Sequence, residues 1–177
     1  MGEVFSRFLQ TLQIKRDAFV WMDFNDRATG DALILVALTP VVSFVVLVAG
    51  GRSLFSVGIG SLLLELVLGA LIQWLLYSGI SWAIVHYGLK LGGEFSTYLR
   101  FTGFAYPTTL LHTILILFFQ RRGLLFFALG YIWFLFIIAA GMGYASDLPR
   151  EKAFLTAVGA LIGLVIVNRI FALTPLI

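Results

Sequence analysis

Five long apolar runs alternate with short polar connectors along most of this chain. Their approximate bounds are residues 32–49, 57–89, 102–119, 124–145 and 153–172. A helix that crosses a bilayer needs about 20 apolar residues, with a usable range of about 17 to 25. A backbone surrounded by lipid must also satisfy its own hydrogen bonds, as a helix does. The pattern therefore predicts an all-α fold: a polytopic membrane helix bundle with five transmembrane helices, each antiparallel to its neighbours in sequence.

The second run is longer than one plain span requires. A helix over residues 57–89 would measure roughly 50 Å at a rise of about 1.5 Å per residue, whereas the hydrocarbon core is about 30 Å thick. We therefore expect this helix to tilt, to bend near Gly79, or to project beyond the membrane.

The first thirty residues follow a different pattern. Apolar side chains recur there at helical spacing, with polar residues on the other side: Val4, Phe5, Phe8, Leu9 and Leu12. An amphipathic helix of this kind is suited to the bilayer surface, and packing against the protein's own loops is the alternative. We accordingly divide the chain into a cytoplasmic or interfacial segment, residues 1–30, and a five-helix transmembrane domain, residues 31–177.

Composition agrees with a lipid environment and excludes several classes of function. Hydrophobic residues make up 60% of the 177 and charged residues 12%, and the mean hydropathy is +1.02. A soluble domain of this size cannot bury so much apolar surface. The net charge of +3 is spread along the chain, without the basic stripe that nucleic-acid binding requires. Cysteine is absent and no catalytic, metal or cofactor motif is recognisable, so we expect a non-enzymatic protein without cofactor or metal.

The basic residues predict the orientation of the chain. Five spans divide them eight against four between the two sides of the membrane: Arg7, Lys15, Arg16, Arg27, Lys90, Arg100, Arg150 and Lys152 against Arg52, Arg121, Arg122 and Arg169. Because cytoplasmic loops carry the excess of lysine and arginine, this distribution predicts a cytoplasmic N-terminus and a C-terminus on the opposite side.

Three ionisable residues lie inside spans or near their ends: Glu65, His112 and Arg169. An intramembrane charge is costly, and by default it indicates a functional site. Glu65 and His112 lie at a similar depth, roughly 10 to 12 Å from the C-terminal side, which predicts a polar pair or, with Arg169, a cluster. Two interpretations stay open: a proton- or ion-linked site facing a cavity, or a structural pair that fixes the order of the helices.

The second span carries a small or polar residue at every fourth position. This polar row consists of Ser61, Glu65, Gly69, Gln73, Tyr77 and Ser81. It drifts by about 40° per step, so it winds along the helix as a ridge that a crossing helix can follow. We predict helix packing through Gly69, Gln73 and Tyr77. In the last span, Gly159 and Gly163 form a GxxxG motif, which indicates either a dimer face or packing within the bundle.

The start of the third run has an unusual composition. Residues 103–107, Gly-Phe-Ala-Tyr-Pro, follow the glycine-bearing connector KLGGEFSTYLR. We interpret Pro107 as part of the first helical turn, where a missing N–H has no intrahelical partner. Residues 103–105 would then belong to the loop, with Tyr106 at the membrane interface. A helix that begins near Thr102 and kinks at the proline is the alternative.

With its aromatic lead-in and five spans, the chain resembles the Yip1 domain family of five-span membrane proteins. The family-motif residues are Gly103, Tyr106 and Pro107, similar to the family's Gly-Tyr…Pro pattern, and the resemblance covers roughly residues 15–170. Eukaryotic members bind small GTPases and carry long cytosolic N-terminal regions, whereas about thirty residues precede the first span here. The resemblance therefore implies a prokaryotic relative in the plasma membrane and leaves small GTPase binding in doubt.

These features favour a membrane protein that acts as a scaffold, a bilayer-shaping element or an accessory subunit through helix–helix contacts. The expected partners are the lipid bilayer and a membrane protein or a second copy of the chain. The alternative is a small transporter or channel that uses Glu65 and His112. A third hypothesis is a lipid-handling protein whose polar row lines a path for headgroups.

Overall fold

The computed structural model describes residues 2–49, 59–118 and 123–171, with side chains over 2–49, 60–115 and 130–171. All regular secondary structure in these described residues is helical. Its helices are α1 Gly2–Leu12, α2 Arg16–Phe24, α3 Arg27–Ala49, α4 Ile59–Ala83, α5 Phe95–Ala105, α6 Leu110–Phe118, α7 Gly123–Ser146 and α8 Arg150–Ile170. A π-helical turn, Ile84–Gly88, extends α4, and a 3₁₀ turn, Tyr106–Thr109, joins α5 to α6. Arg52, Arg121 and Arg122, used in predicting the orientation, lie outside the described residues.

Three helices are long and apolar enough to cross a membrane. They are Arg27–Ala49, Gly60–Gly88 and Arg150–Ile170. A shorter apolar helical segment, Gly130–Ser146, lies in α7. Many apolar side chains of these helices face outward, and Leu64, Leu155 and Ile170 are 61%, 69% and 70% exposed. Such surfaces are expected where lipid is the solvent, so the chain is a membrane-embedded helical protein.

The short helix α5 lies at the centre of the bundle. It packs against α3, α4 and α7, and eight of its 11 residues are buried. Tyr98, Phe101 and Phe104 are among its fully buried side chains. The prediction that residues 103–105 belong to a loop is wrong, because the helix continues through Ala105. The helix begins before Thr102, at Phe95, and changes to a 3₁₀ turn at Tyr106.

Pro107 changes the helix type without ending the helical path. It lies at the start of the 3₁₀ turn, where a missing N–H is tolerated. Two neighbouring carbonyl groups accept hydrogen bonds from hydroxyls: Thr108 Oγ1 donates to Ala105 O and Thr109 Oγ1 donates to Tyr106 O, each at 2.8 Å. The carbonyl that an amide at residue 107 would bond in an α-helix, Gly103 O, accepts instead from the backbone N–H of Tyr106. The helical path therefore continues into α6 without leaving that carbonyl unpaired.

The long second run remains α-helical past Gly79, as far as Ala83. With its π turn, it covers Ile59–Gly88, roughly 45 Å at the helical rise. Near its end, Trp82 Nε1 donates to Gly93 O at 3.1 Å, and the indole stacks on the His86 ring at a centroid distance of 4.9 Å. Aromatic residues of this kind are typical of the membrane interface.

Helices α1 and α2 form an N-terminal helix pair that packs on the bundle. α1 contacts α2 and α5, and α2 contacts α5 and α7. Phe8 and Leu12 pack against the core, whereas Phe5 and Leu9 are 62% and 40% exposed. The apolar face of α1 is therefore divided between the protein and its surroundings. Because α3 begins at Arg27, the boundary drawn at residue 30 falls inside a helix.

The close approach of α3 and α5 at Gly103 is the basis of the first prediction. A Cβ atom at Gly103 would lie 2.6 Å from Ala32 Cβ and 3.2 Å from Trp74 Nε1. Gly103→Ala should therefore destabilise the fold by about 1 to 3 kcal/mol, as overpacking does, and lower the thermal midpoint measured in detergent. The matched control is Gly79→Ala, because a Cβ there meets nothing within 4 Å and alanine is the better helix former. A Gly103→Ala protein as stable as wild type would contradict the close helix crossing.

Candidate functional site

The polar row of α4 turns from the outside of the bundle to its inside. Ser61 and Glu65 are exposed, Gly69 is half-buried, and Gln73 and Tyr77 are buried. This is the rotation expected of a helix, in which each step of four residues turns the row by about 40°. Glu65 is therefore turned by about 80° from Gln73, away from the face that packs against α8.

The predicted pair of Glu65 and His112 does not form. His112 is buried on α6, with its ring centroid 6.3 Å from that of Tyr131 on α7. Glu65 is exposed on α4, and Arg169 is exposed in the last turn of α8. No hydrogen bond or ion pair joins any two of Glu65, His112 and Arg169 in the described part of the chain. Similar depth did not bring the groups together, because the winding of the row directs Glu65 outward.

The partner of the polar row is a residue that the sequence analysis missed, Asn168 of α8. Gln73 Nε2 donates to Asn168 Oδ1 and Asn168 Nδ2 donates to Gln73 Oε1, both at 2.9 Å. One turn further along α4, Tyr77 OH donates to Ala157 O at 3.0 Å. Since a buried polar group is costly unless it is hydrogen-bonded, these bonds fix α4 against α8. A signal was present in the sequence: Asn168 is the one amide side chain in the fifth apolar run, and a polar residue in a membrane helix commonly bonds another helix.

A second set of polar contacts joins α4 to α5. Trp74 Nε1 donates to Thr102 Oγ1 and to Leu99 O, both at 3.1 Å. The hydroxyls of Thr102 and Ser78 lie 2.6 Å apart. These contacts lie beside Gly103, and the absence of a Cβ there allows α3 and the indole of α4 to approach α5 closely.

A small cavity lies among these polar contacts. Its volume is about 20 Å³, which is room for about one water molecule. Its lining includes Gln73, Thr102, Tyr106, Thr109 and Tyr131. The other motif residue, Pro107, is also buried nearby in the 3₁₀ turn. The side chains of this region hold the helices together around a space of one water molecule.

The GxxxG motif of α8 packs within the chain. A Cβ at Gly163 would lie 3.0 Å from Ile80 Cγ2, and one at Gly159 would lie 3.8 Å from Ile84 Cδ1. Ile80 belongs to α4 and Ile84 to its π turn. Of the two alternatives for the motif, the structure shows packing within the bundle.

Arg100 of α5 binds the junction between α2 and α3 from inside the protein. It is 4% exposed. Its guanidinium donates to Met22 O at 2.8 Å, Asp23 O at 3.0 Å, Thr29 Oγ1 at 2.9 Å and Asp26 Oδ1 at 2.6 Å. Met22 and Asp23 lie in the last turn of α2, whose carbonyls lack intrahelical partners and favour a cation. We call these four contacts the Arg100 anchor. The orientation prediction counted Arg100 as a loop cation, whereas it is a buried structural group.

Two further residues of α5 extend this anchor. Thr97 Oγ1 donates to Asp23 Oδ1 at 3.0 Å. The hydroxyls of Tyr98 and Ser146, the last residue of α7, lie 2.7 Å apart. Both hydroxyls are buried, and a buried hydroxyl is costly without a hydrogen-bond partner. The first turns of α5 therefore hold both α2 and the end of α7.

A larger cavity lies between α2, α5 and α7, beside the Arg100 anchor. Its volume is about 200 Å³. Phe19 and Tyr144 contribute stacked rings to its wall, with centroids 5.2 Å apart. Arg16, Asp23 and Asp147 bring charges of both signs. This cavity is the candidate binding site of the described chain, and sequence analysis singled out none of its charged residues.

The paired amides of α4 and α8 give the second prediction. Gln73→Leu should destabilise the protein by about 1 to 3 kcal/mol, because it leaves the buried Asn168 amide without its partner. Asn168→Leu should have a similar effect. The double variant should lose less stability than the sum of the two single variants, as a double-mutant cycle of thermal or denaturant unfolding in detergent will measure. Strictly additive losses would contradict the reciprocal bond.

The Arg100 anchor gives the third prediction. Arg100→Leu removes all four contacts and should weaken docking of the N-terminal helix pair by about 2 kcal/mol, raising the undocked population by about thirtyfold. Hydrogen exchange of the α2 amides, followed by mass spectrometry, should rise accordingly. Arg100→Lys should act in the same direction, because an ammonium lacks the planar fork of five donors. Lys152→Met, at an exposed position, is the control; unchanged exchange in both Arg100 variants would contradict the anchor.

No protein-family model, curated protein or solved structure matches this chain. The assignment of its function therefore depends on its own geometry and on the resemblance noted in its sequence.

Proposed function

We propose that this chain is a five-span, non-enzymatic membrane protein that assembles with another membrane protein or a second copy of itself. In this proposal α3, α4, α7 and α8 each cross the bilayer, and the bent path from α5 to α6 makes the fifth crossing. The N-terminus then lies in the cytoplasm and the C-terminus on the opposite side. The five apolar runs, the excess of basic residues on the N-terminal side and the resemblance to the Yip1 domain family support this topology.

The observation that carries the proposal is the position of Glu65. It lies about 9 Å along α4 from Ile59, inside an apolar segment, between Leu64 and Leu68, which are 61% and 50% exposed. A carboxylate that faces hydrocarbon is costly, and none of the described residues pairs with it. A donor from another chain would remove this cost, as interhelical hydrogen bonds do in membranes. The outer half of the polar row is then an assembly surface.

The N-terminal helix pair supports the bilayer as a second partner. Phe5 and Leu9 of α1 and Phe24 of α2 are exposed, the last at 84%. The Arg7 guanidinium lies 5.3 Å from the centroid of the Trp21 ring, which holds α1 against α2. Apolar side chains beside basic residues are typical of a helix at the membrane interface. The Arg100 anchor would hold this pair at the cytoplasmic leaflet.

The geometry favours assembly over the two other hypotheses. The transport hypothesis used Glu65 and His112 together, and these residues lie on different faces of the packed helices. The lipid-handling hypothesis needed the polar row as a headgroup path, but Gln73 and Tyr77 of its inner half bind α8. The exposed Glu65 remains to be explained, and assembly explains it.

The fourth prediction concerns Glu65. In mild detergent the wild-type chain should elute with a stoichiometric membrane partner or as a homo-oligomer. Glu65→Leu should weaken that assembly by about threefold to tenfold while the protomer stays folded, because it removes one interhelical polar contact from an exposed site. Light scattering and native mass spectrometry will measure both properties.

Two controls make this test specific. Glu65→Gln should retain most of the assembly, because an amide still forms hydrogen bonds. Glu151→Leu removes an exposed carboxylate from the start of α8, on the side of the membrane where the proposal places the N-terminus. It should leave the assembly unchanged. A wild-type chain that is monomeric and without a partner in several mild detergents and in lipid nanodiscs would contradict the proposed function.

A further inference from the structure

The cavity between α2, α5 and α7 carries opposite charges that do not pair with one another. Arg16 contributes a guanidinium, and Asp23 and Asp147 contribute carboxylates. Arg16 and Asp23 are seven residues apart on one face of α2, about 10 Å along its axis. In the described part of the chain, no ion pair joins Arg16 to either carboxylate. A ligand with both charges that reaches from the flexible guanidinium of Arg16 to the carboxylates fits this arrangement.

The size and walls of the cavity restrict the ligand further. A volume of about 200 Å³ is below the range of about 300 to 1,000 Å³ usual for drug-sized ligands. It suits a compact polar group. Arg16 offers the forked donors that match a phosphate. The carboxylates of Asp23 and Asp147 suit an ammonium group, and the stacked rings of Phe19 and Tyr144 form an apolar wall beside them.

The outer edge of the cavity is apolar and exposed. Val20, Phe24 and Tyr144 line the cavity and are 40%, 84% and 44% exposed. A soluble ligand gains little from such an edge, whereas acyl chains attached to the polar group would cover it. The edge therefore favours a lipid as the source of the group.

We propose that this cavity binds the headgroup of an ethanolamine phospholipid. Arg16 holds the phosphate, and the primary ammonium lies between Asp23 and Asp147. A primary ammonium has three N–H donors for carboxylate oxygens, whereas the quaternary ammonium of a choline headgroup has none. An anionic glycerol headgroup leaves both carboxylates without a cation. This inference rests on the interfacial placement of the N-terminal helix pair in the proposed function.

Lipid titration of the full chain tests the proposal. Purified protein in mild detergent receives phosphatidylethanolamine, phosphatidylcholine or phosphatidylglycerol, and native mass spectrometry counts the bound lipid. Phosphatidylethanolamine should bind about tenfold more tightly than the other two, and Arg16→Gln or Asp147→Asn should each remove about tenfold of that affinity. Asparagine tolerates the left-handed backbone of Asp147, whose φ is 50°. Lys15→Gln and Asp17→Asn are neighbouring exposed controls with the same changes in charge, and they should leave the affinity within about twofold.

Three results would overturn the proposal. One is equal binding of phosphatidylethanolamine to wild type and to both cavity variants. Another is equal binding of the three lipids by wild type. The third is full displacement of the lipid by soluble glycerophosphoethanolamine at equal concentration, which would assign the cavity to a soluble zwitterion. The same spectra report the assembly state, so a lost headgroup preference with intact assembly rejects the lipid site and leaves the proposed function standing.

Discussion

A buried guanidinium must have its N–H groups satisfied, and Arg100 meets this requirement with acceptors from two other helices. Two acceptors are carbonyls in the last turn of α2, one is the side chain of Thr29 in the first turn of α3, and one is Asp26, just before α3. Moving α2 or α3 would leave a charge buried without partners, which is far more costly than an exposed one. The carboxylate of Asp26 remains fully exposed while Arg100 is buried, so only one member of this ion pair loses its water. The position of α5, the docking of α1 and α2, and the shape of the cavity beside them all depend on this arrangement.

The polar row of α4 runs from the outside of the bundle to its interior. Its polar residues recur every four positions, and the mismatch with 3.6 residues per turn carries them around the helix. The inner residues Gln73 and Tyr77 meet α8 and form hydrogen bonds inside the bundle. The outer residue Glu65 reaches the surface. The drift of a single row therefore places some of its polar residues inside the bundle and others on its surface, where the proposed function assigns Glu65 to assembly.

The sequence predicts the helical class and its long apolar helices, because these follow from local patterns. Apolar runs identify membrane helices, and the drift of the polar row follows from the geometry of a regular α-helix. Counting residues gives the depth of Glu65 and His112, but not their direction around each helix axis. That direction depends on which helices pack together, so the pair could not be settled from sequence. The loop predicted at residues 103–105 was wrong for a local reason, since the Gly103 carbonyl that Pro107 cannot bond accepts from the backbone N–H of Tyr106 and the helical path continues.

The burial of Arg100 and its four acceptors could not be predicted from sequence for a different reason. Its acceptors are 71 to 78 residues earlier in the chain, a separation that also has a consequence for biosynthesis. At about 5 to 20 residues per second, the ribosome needs roughly 4 to 16 s to reach Arg100 after making its partners. During that interval the first two helices have no guanidinium to hold them, and an amphipathic α1 has the membrane surface as its available apolar contact. In the proposed interfacial placement, the nascent N-terminus would lie on the bilayer until α5 is made and the Arg100 guanidinium binds α2.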